Sequence, residues 1–187
     1  YEGLLQILSE NQIPFELTSL DAESVELFDL IIVPDAGDLP SGQCRALDAF
    51  VRQGGRILLT GKAPADLECT KDLVFRGTRP AEKGAYIRIR PEDRTRLDSY
   101  DLSDLDLVFL SGPFHVYGLP DDVEGLLRLI PGDMFGPPEK CYYRTVSDHP
   151  ALLVRNLGKG RVACFPWDIG RHYEQQCHQG HARLILG

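Results

Sequence analysis

The residues able to do chemistry crowd toward the carboxyl end of the chain. Trp167, Asp168, Arg171 and His172 follow Pro166, just past the apolar run at 162–165. Polar and aromatic groups just past a strand end are where catalytic and binding sites often sit. Trp167 is the only tryptophan. A tryptophan buries a large area while its N–H needs a partner, so it suits a core edge, an interface or a sugar platform. Asp168 is placed to cap a helix over 170–187. Arg171 and His172 then fall in its first turn, where positive charge opposes the helix dipole and hints at an acidic partner. Cys177 and His181 stand four apart, and His178 and His181 three apart, so one helical face could carry three metal ligands. No HExxH pattern accompanies them and Gly180 weakens the helix. The reading is therefore an exposed polar face, with no metal.

Other chemistries fare less well. Ser147, Asp148 and His149 have the residue types of a catalytic triad, but a triad converges in space and not along three neighbours. In an α/β sheet a nucleophile sits on the sharp turn after a central strand. That turn reads LLTGKAPAD, with Thr60, Gly61 and Lys62, and Cys69 comes too late for a tight elbow. The GKG at 158–160 precedes a strand and lacks the phosphate-loop pattern, so it reads as a hairpin turn. The chain has 28 Asp and Glu, and the pairs at 104 and 106 and at 121 and 122 read as solvated loop residues, not as a glycosidase pair.

The elements that must position these groups follow from periodicity. With 187 residues the chain fits one domain with a real core. The net charge of −8 speaks against nucleic acid and anionic membranes as partners. No apolar run nears the ~20 residues of a membrane span. Five widely spaced cysteines without CxxC argue against a disulfide framework or a zinc ribbon and favour a reducing, cytoplasmic setting. Leu4, Leu5, Ile7 and Leu8 share one side of a helix, and Pro14 ends it before a short strand at 15–20. DLIIVP at 29–34 and RILLTG at 56–61 read as strands covered on both faces. Between them Ser41 is a candidate cap, Cys44, Leu47, Phe50 and Val51 form a buried stripe, and Gly54 and Gly55 supply the stop. AYIRIR at 85–90 alternates like an edge strand, 107–112 and 126–130 are further strands, and ALLVRNLGKGRVACF reads as a hairpin. The fold class expected is α/β. It is a three-layer, open, mostly parallel sheet of flavodoxin-like kind flanked by helices, with antiparallel strands in the second half. The chain opens in a helix and closes in the apolar stretch ARLILG, so we expect a single domain, 1–187, excised from a longer polypeptide with its first strand and the end of its last helix missing.

The runs LLQILSENQIPFELTS, LPSGQCRALDAFVRQGG and GKGRVACFPWDIGRHY together resemble the trimerisation domain of bacterial beta-galactosidases and related glycoside hydrolases. That domain is similar to class I glutamine amidotransferases that have lost their catalytic residues. The resemblance covers most of the chain and is loosest over 62–130. It implies a non-catalytic domain behind an upstream TIM barrel that does the sugar chemistry. It also implies assembly into a homo-oligomer, a trimer or dimer, with a possible carbohydrate contact and no cofactor. The amidotransferase elbow carries a nucleophilic cysteine. The matching turn here is TGKAP, so no catalytic residue carries over. The expected contact surface comprises Trp167, Asp168, Arg171 and His172, joined by Glu139, Tyr142 and His149 from the Pro-rich loop. Two alternatives stay open. One is a hydrolase or amidotransferase relative with a relocated site, and the other is a small-ligand or carbohydrate-binding module.

Overall fold

The computed structural model describes residues 1–97, 102–132, 143 and 145–187. Helix α1 (Glu2–Glu10) buries Leu4 and Ile7, as its apolar side requires. After Asp21 caps the short α2 (Ala22–Val25), strands β1 (Leu30–Val33) and β2 (Arg56–Thr60) flank α3 (Ser41–Gln53). In α3 the expected stripe of Cys44, Leu47, Phe50 and Val51 is buried, and Gly54 ends the helix at φ +124°. Pro40, not Ser41, takes the cap position, because its extended backbone already sets the chain's approach to the helix.

The second half is built from long strands. These are β3 (Val74–Arg88), β4 (Leu107–Gly118), β5 (Glu124–Ile130), β6 (Pro150–Leu157) and β7 (Gly160–Phe165). The described strands form one sheet in the order β1-β2-β7-β6-β5-β3-β4. Only β1–β2 and β2–β7 pair in parallel, and the other four neighbours are antiparallel. The fold is mixed α/β as expected, but the sheet is mostly antiparallel instead of mostly parallel. The cause lies in the connections. A parallel pair needs a crossover of a dozen residues or more, which α3 supplies between β1 and β2. Between β3 and β7 the one helix among the described residues is α4 (Pro91–Arg94), too short to cross the sheet.

The turn between β6 and β7 rests on the end of α3. The Lys159 N–H donates to the Arg52 carbonyl, and a Cβ at Gly160 would stand 2.2 Å from the Val51 oxygen. Those glycines therefore serve close packing, as the hairpin reading requires. The sheet carries a separate apolar cluster on each face. Ile57, Leu59, Val162 and Cys164 pack with α3, while Leu58, Phe165 and Trp167 pack with Leu152 and Leu184.

The expected helix over 170–187 is two helices. Helix α5 (Ile169–Gln176) ends at Cys177 in the left-handed conformation, and α6 (Gln179–Leu186) starts anew after His178. The strand expected at 15–20 has no ladder partner among the described residues.

Two glycines separate packing from propensity. A Cβ at Gly3 would lie 1.9 Å from the Gly170 oxygen, whereas one at Gly42 in α3 meets nothing within 4 Å. Gly3→Ala should destabilise the fold by about 1–3 kcal/mol through overpacking. Gly42→Ala should stabilise it by about 0.4–1 kcal/mol. Urea midpoints of the two variants check the opposite signs.

Candidate functional site

The carboxyl ends of β1, β2 and β7 open on one edge of the sheet, the place where open α/β sheets bind ligands. Much of the backbone there is already committed. The Gly61 N–H donates to the Trp167 carbonyl, Ala36 N–H to the Thr60 carbonyl, and His115 N–H to the Pro166 carbonyl at 2.8 Å. The Ala63 N–H donates to the Tyr117 hydroxyl at 2.9 Å. Phe114 and Trp167 form an isolated antiparallel bridge, so β4 closes over the end of β7.

Trp167 is at 0 % exposure. Its Nε1–H donates to the Ala151 carbonyl at 3.1 Å, and its ring stands edge-on to Phe165, His172 and His181. A sugar platform needs an open indole face, and Trp167 has none; its place is the core. His172 is buried too, with both ring nitrogens in use. The Ser111 N–H donates to its Nε2, so Nδ1 carries the proton and donates to the Asp168 carbonyl at 2.6 Å. An imidazole held at both nitrogens is available neither as a base nor as a ligand. The Asp168 carboxylate accepts from the Arg171 N–H at 3.0 Å, a helix cap. Arg171 itself is exposed. His149 is half-buried on the segment leading into β6, with its pKa lowered by burial and by Arg79. Glu139 and Tyr142, like Cys141, lie outside the described residues. The structure thus brings Trp167, Asp168 and His172 together as packing and capping groups. Of the seven expected contact residues, only Arg171 stands exposed among those described.

The nucleophile candidates are placed as follows. Cys44, Cys69 and Cys164 are buried, and burial pushes all three thiols up, Cys164 to about 12. The Ser147 hydroxyl donates to the Leu129 carbonyl at 2.7 Å. Cys177 ends one helix and His178 precedes the next, so with His181 they share no helical face. Among the described residues no group of three His, Cys, Asp or Glu is arranged to hold a metal ion.

Sequence reasoning missed a polar rim on the same edge. Asp35 follows β1 at φ +47°, a conformation aspartate tolerates better than most residues. Its side chain fills the space over Gly61, where a Cβ would come within 3.0 Å of Oδ1. Lys62 follows β2 and lies 5.3 Å above the Phe75 ring. His115, from β4, holds Thr78 Oγ1 at 2.9 Å. Burial lowers the His115 pKa; Lys62 adds to that and Asp35 opposes it. Asp35 and Lys62 each end an apolar strand, which was a usable signal. His115 had none, because the β4–β7 closure that brings it there spans residues far apart in sequence.

No protein-family model matches the chain, and no curated protein matches it by sequence. Solved structures do share its fold. A cytoplasmic protein from Salmonella typhimurium superposes with a TM-score of 0.67 at 13% identity, covering 98% of this chain and 82% of that one. A ThuA-like protein from Bacteroides uniformis gives 0.63 at 10% identity, with 98% and 78% covered. A GH42 beta-galactosidase from G. stearothermophilus gives 0.59 at 16% identity, with 95% of this chain matching 25% of that chain. At these identities the likeness is one of fold. The chain is therefore related in fold to a quarter-length segment of a beta-galactosidase and to ThuA-like proteins. No described helix is long and apolar enough to cross a membrane.

The buried His181 yields a test. Its Nε2–H donates to the Phe109 carbonyl at 2.8 Å while Nδ1 has no hydrogen-bond partner among the described residues, so burial holds the ring neutral with a pKa of about 4. The unfolded chain takes up this proton near pH 6.5. The contribution is present in full above that pH and is lost as pH falls toward 4, on the order of 3 kcal/mol. Relative to wild type, His181→Gln should flatten the fall of urea-unfolding stability between those two values.

Proposed function

We propose that the chain is a non-catalytic, class I glutamine amidotransferase-like domain, flavodoxin-like in its parallel half, that serves assembly of a bacterial glycoside hydrolase acting in carbohydrate metabolism. One observation carries the reading. The turn after β2, where such folds place a nucleophile and its oxyanion donors, has two of its amides turned inward: Gly61 onto the Trp167 carbonyl and Ala63 onto the Tyr117 hydroxyl. An oxyanion hole needs free donors aimed at the reacting atom. The likeness in fold to part of a beta-galactosidase supports the setting, a domain joined to an upstream TIM barrel. In this reading Arg171 is an exposed anchor of the contact between copies.

A second reading is favoured by the coverage of the Salmonella and Bacteroides proteins, 82% and 78% of their own lengths. It takes the chain as a self-standing protein that binds a small polar ligand at Asp35, Lys62 and His115.

Sedimentation equilibrium at micromolar concentration distinguishes the two. Assembly is expected to give two or three times the monomer mass, and Arg171→Glu to weaken association about tenfold. A monomer at every concentration would set the assembly reading aside.

A further inference from the structure

Two arginines stand side by side at the amino ends of the parallel strands, on the edge away from Asp35, Lys62 and His115. Arg56 opens β2 and pairs in register with Arg161 of β7. The next residues, Ile57 and Val162, pack toward α3, so both arginines belong to the other face of the sheet, with Leu58. Both are exposed, and like charges set next to each other across a ladder repel. No acid among the described residues pairs with either. Arg161 Nε donates to Asn156 Oδ1 at 3.3 Å, which leaves its two terminal nitrogens and the whole Arg56 guanidinium without a protein partner among the described residues. Both arginines line a cavity of about 300 Å³. The one acid that shares its lining, Glu124, is already held by Arg96 at 2.9 Å. The cavity floor is apolar, a row of Leu58, Ala163 and Val154 in register across three strands, with Leu152 and Phe165 beyond it. Leu184 and Ile185 of α6 stand beside it. Ala163, Val154 and Ile185 are only half-buried, so this apolar surface is not fully covered by the fold.

We propose that the cavity binds a small amphiphilic carboxylate, a medium-chain fatty acid, with its head between Arg56 and Arg161 and its tail along β7 toward Phe165. The occupant must answer two needs at once. Guanidinium forks match a carboxylate in geometry and charge, and a single anion between the two arginines turns their repulsion into a shared attraction. A small anion without a tail would meet only exposed charges, whose pairing is worth little in water. A neutral apolar molecule would cover the floor and leave both guanidinium groups unanswered. The dimensions set the tail. From Arg161 to Phe165 the floor runs about 13 Å at the rise of a strand, room for a chain of about eight carbons and its head. The mostly apolar lining with a few convergent polar groups at one end is that of a small-molecule site. The cavity lies apart from Arg171 and from the polar rim, so it stands whichever use the opposite edge has.

Octanoate, below its micellar concentration, is the probe. Calorimetry measures its affinity, and methyl NMR shifts report where it sits. Octanoate is expected to bind with a submillimolar Kd and to shift the methyls of Leu58, Leu152 and Val154. Acetate, which lacks the tail, should bind about a hundredfold more weakly. 1-Octanol, which lacks the charge, should bind about tenfold more weakly. The double variant Arg56→Gln, Arg161→Gln changes only exposed side chains and should keep the urea midpoint while weakening octanoate about tenfold. Ala163→Leu keeps both arginines, fills the floor and should abolish the methyl shifts. No binding of octanoate would overturn the proposal. So would equal binding of 1-octanol, unchanged affinity in the arginine variant, or shifts confined to the other apolar groove, at Leu17 and Leu27.

Discussion

The structure depends on how one indole is held. Trp167 joins parts of the chain that share no local contact. Its carbonyl receives the Gly61 N–H from the parallel half, its bridge to Phe114 holds β4, and its Nε1–H is answered by Ala151 on β6. Its ring packs against Phe165, His172 and His181, which fixes α5 and α6 beneath the sheet. Truncating so buried an aromatic costs about 3–5 kcal/mol in general. Here it would also leave Ala151 without its partner.

The chemistry of the sheet's carboxyl edge follows from that anchorage. Backbone groups that would otherwise face a ligand are satisfied inside the fold. His172 is fixed as one tautomer between Ser111 and Asp168, and the Asp168 carboxylate caps α5. Asp35, Lys62 and Arg171 stand exposed there as charged groups. Groups of that kind suit recognition and docking. The fold shared with part of a beta-galactosidase and with ThuA-like proteins fits a scaffold on which either use can be placed.

Local elements were legible wherever a single period decided them. The stripe of α3, the apolar runs of β1 and β2 and the glycine turn before β7 could each be read from a dozen residues. The cap at Asp168 was equally legible, because capping is local chemistry. The sheet's direction was not, since it depends on which strands lack a crossover helix, and that emerges only once β3 to β7 are placed together. Strand β3 also exceeds its readable core at 85–88, because bulges after Phe75 and Arg79 interrupt the alternation. The site was misread at Trp167 for a related reason. An aromatic at a strand end looks the same in sequence whether solvent or β4 lies above it, and the Phe114 bridge spans more than fifty residues.

Fluorescence of the single tryptophan tests the central claim most directly. If Trp167 closes the carboxyl edge from within, its emission is blue-shifted and resists acrylamide in the folded protein, and millimolar sugars leave it unchanged. It moves to the solvent-exposed wavelength only when urea unfolds the chain. Emission at the solvent wavelength in the native protein, with quenching as free as that of a small indole, would contradict the account.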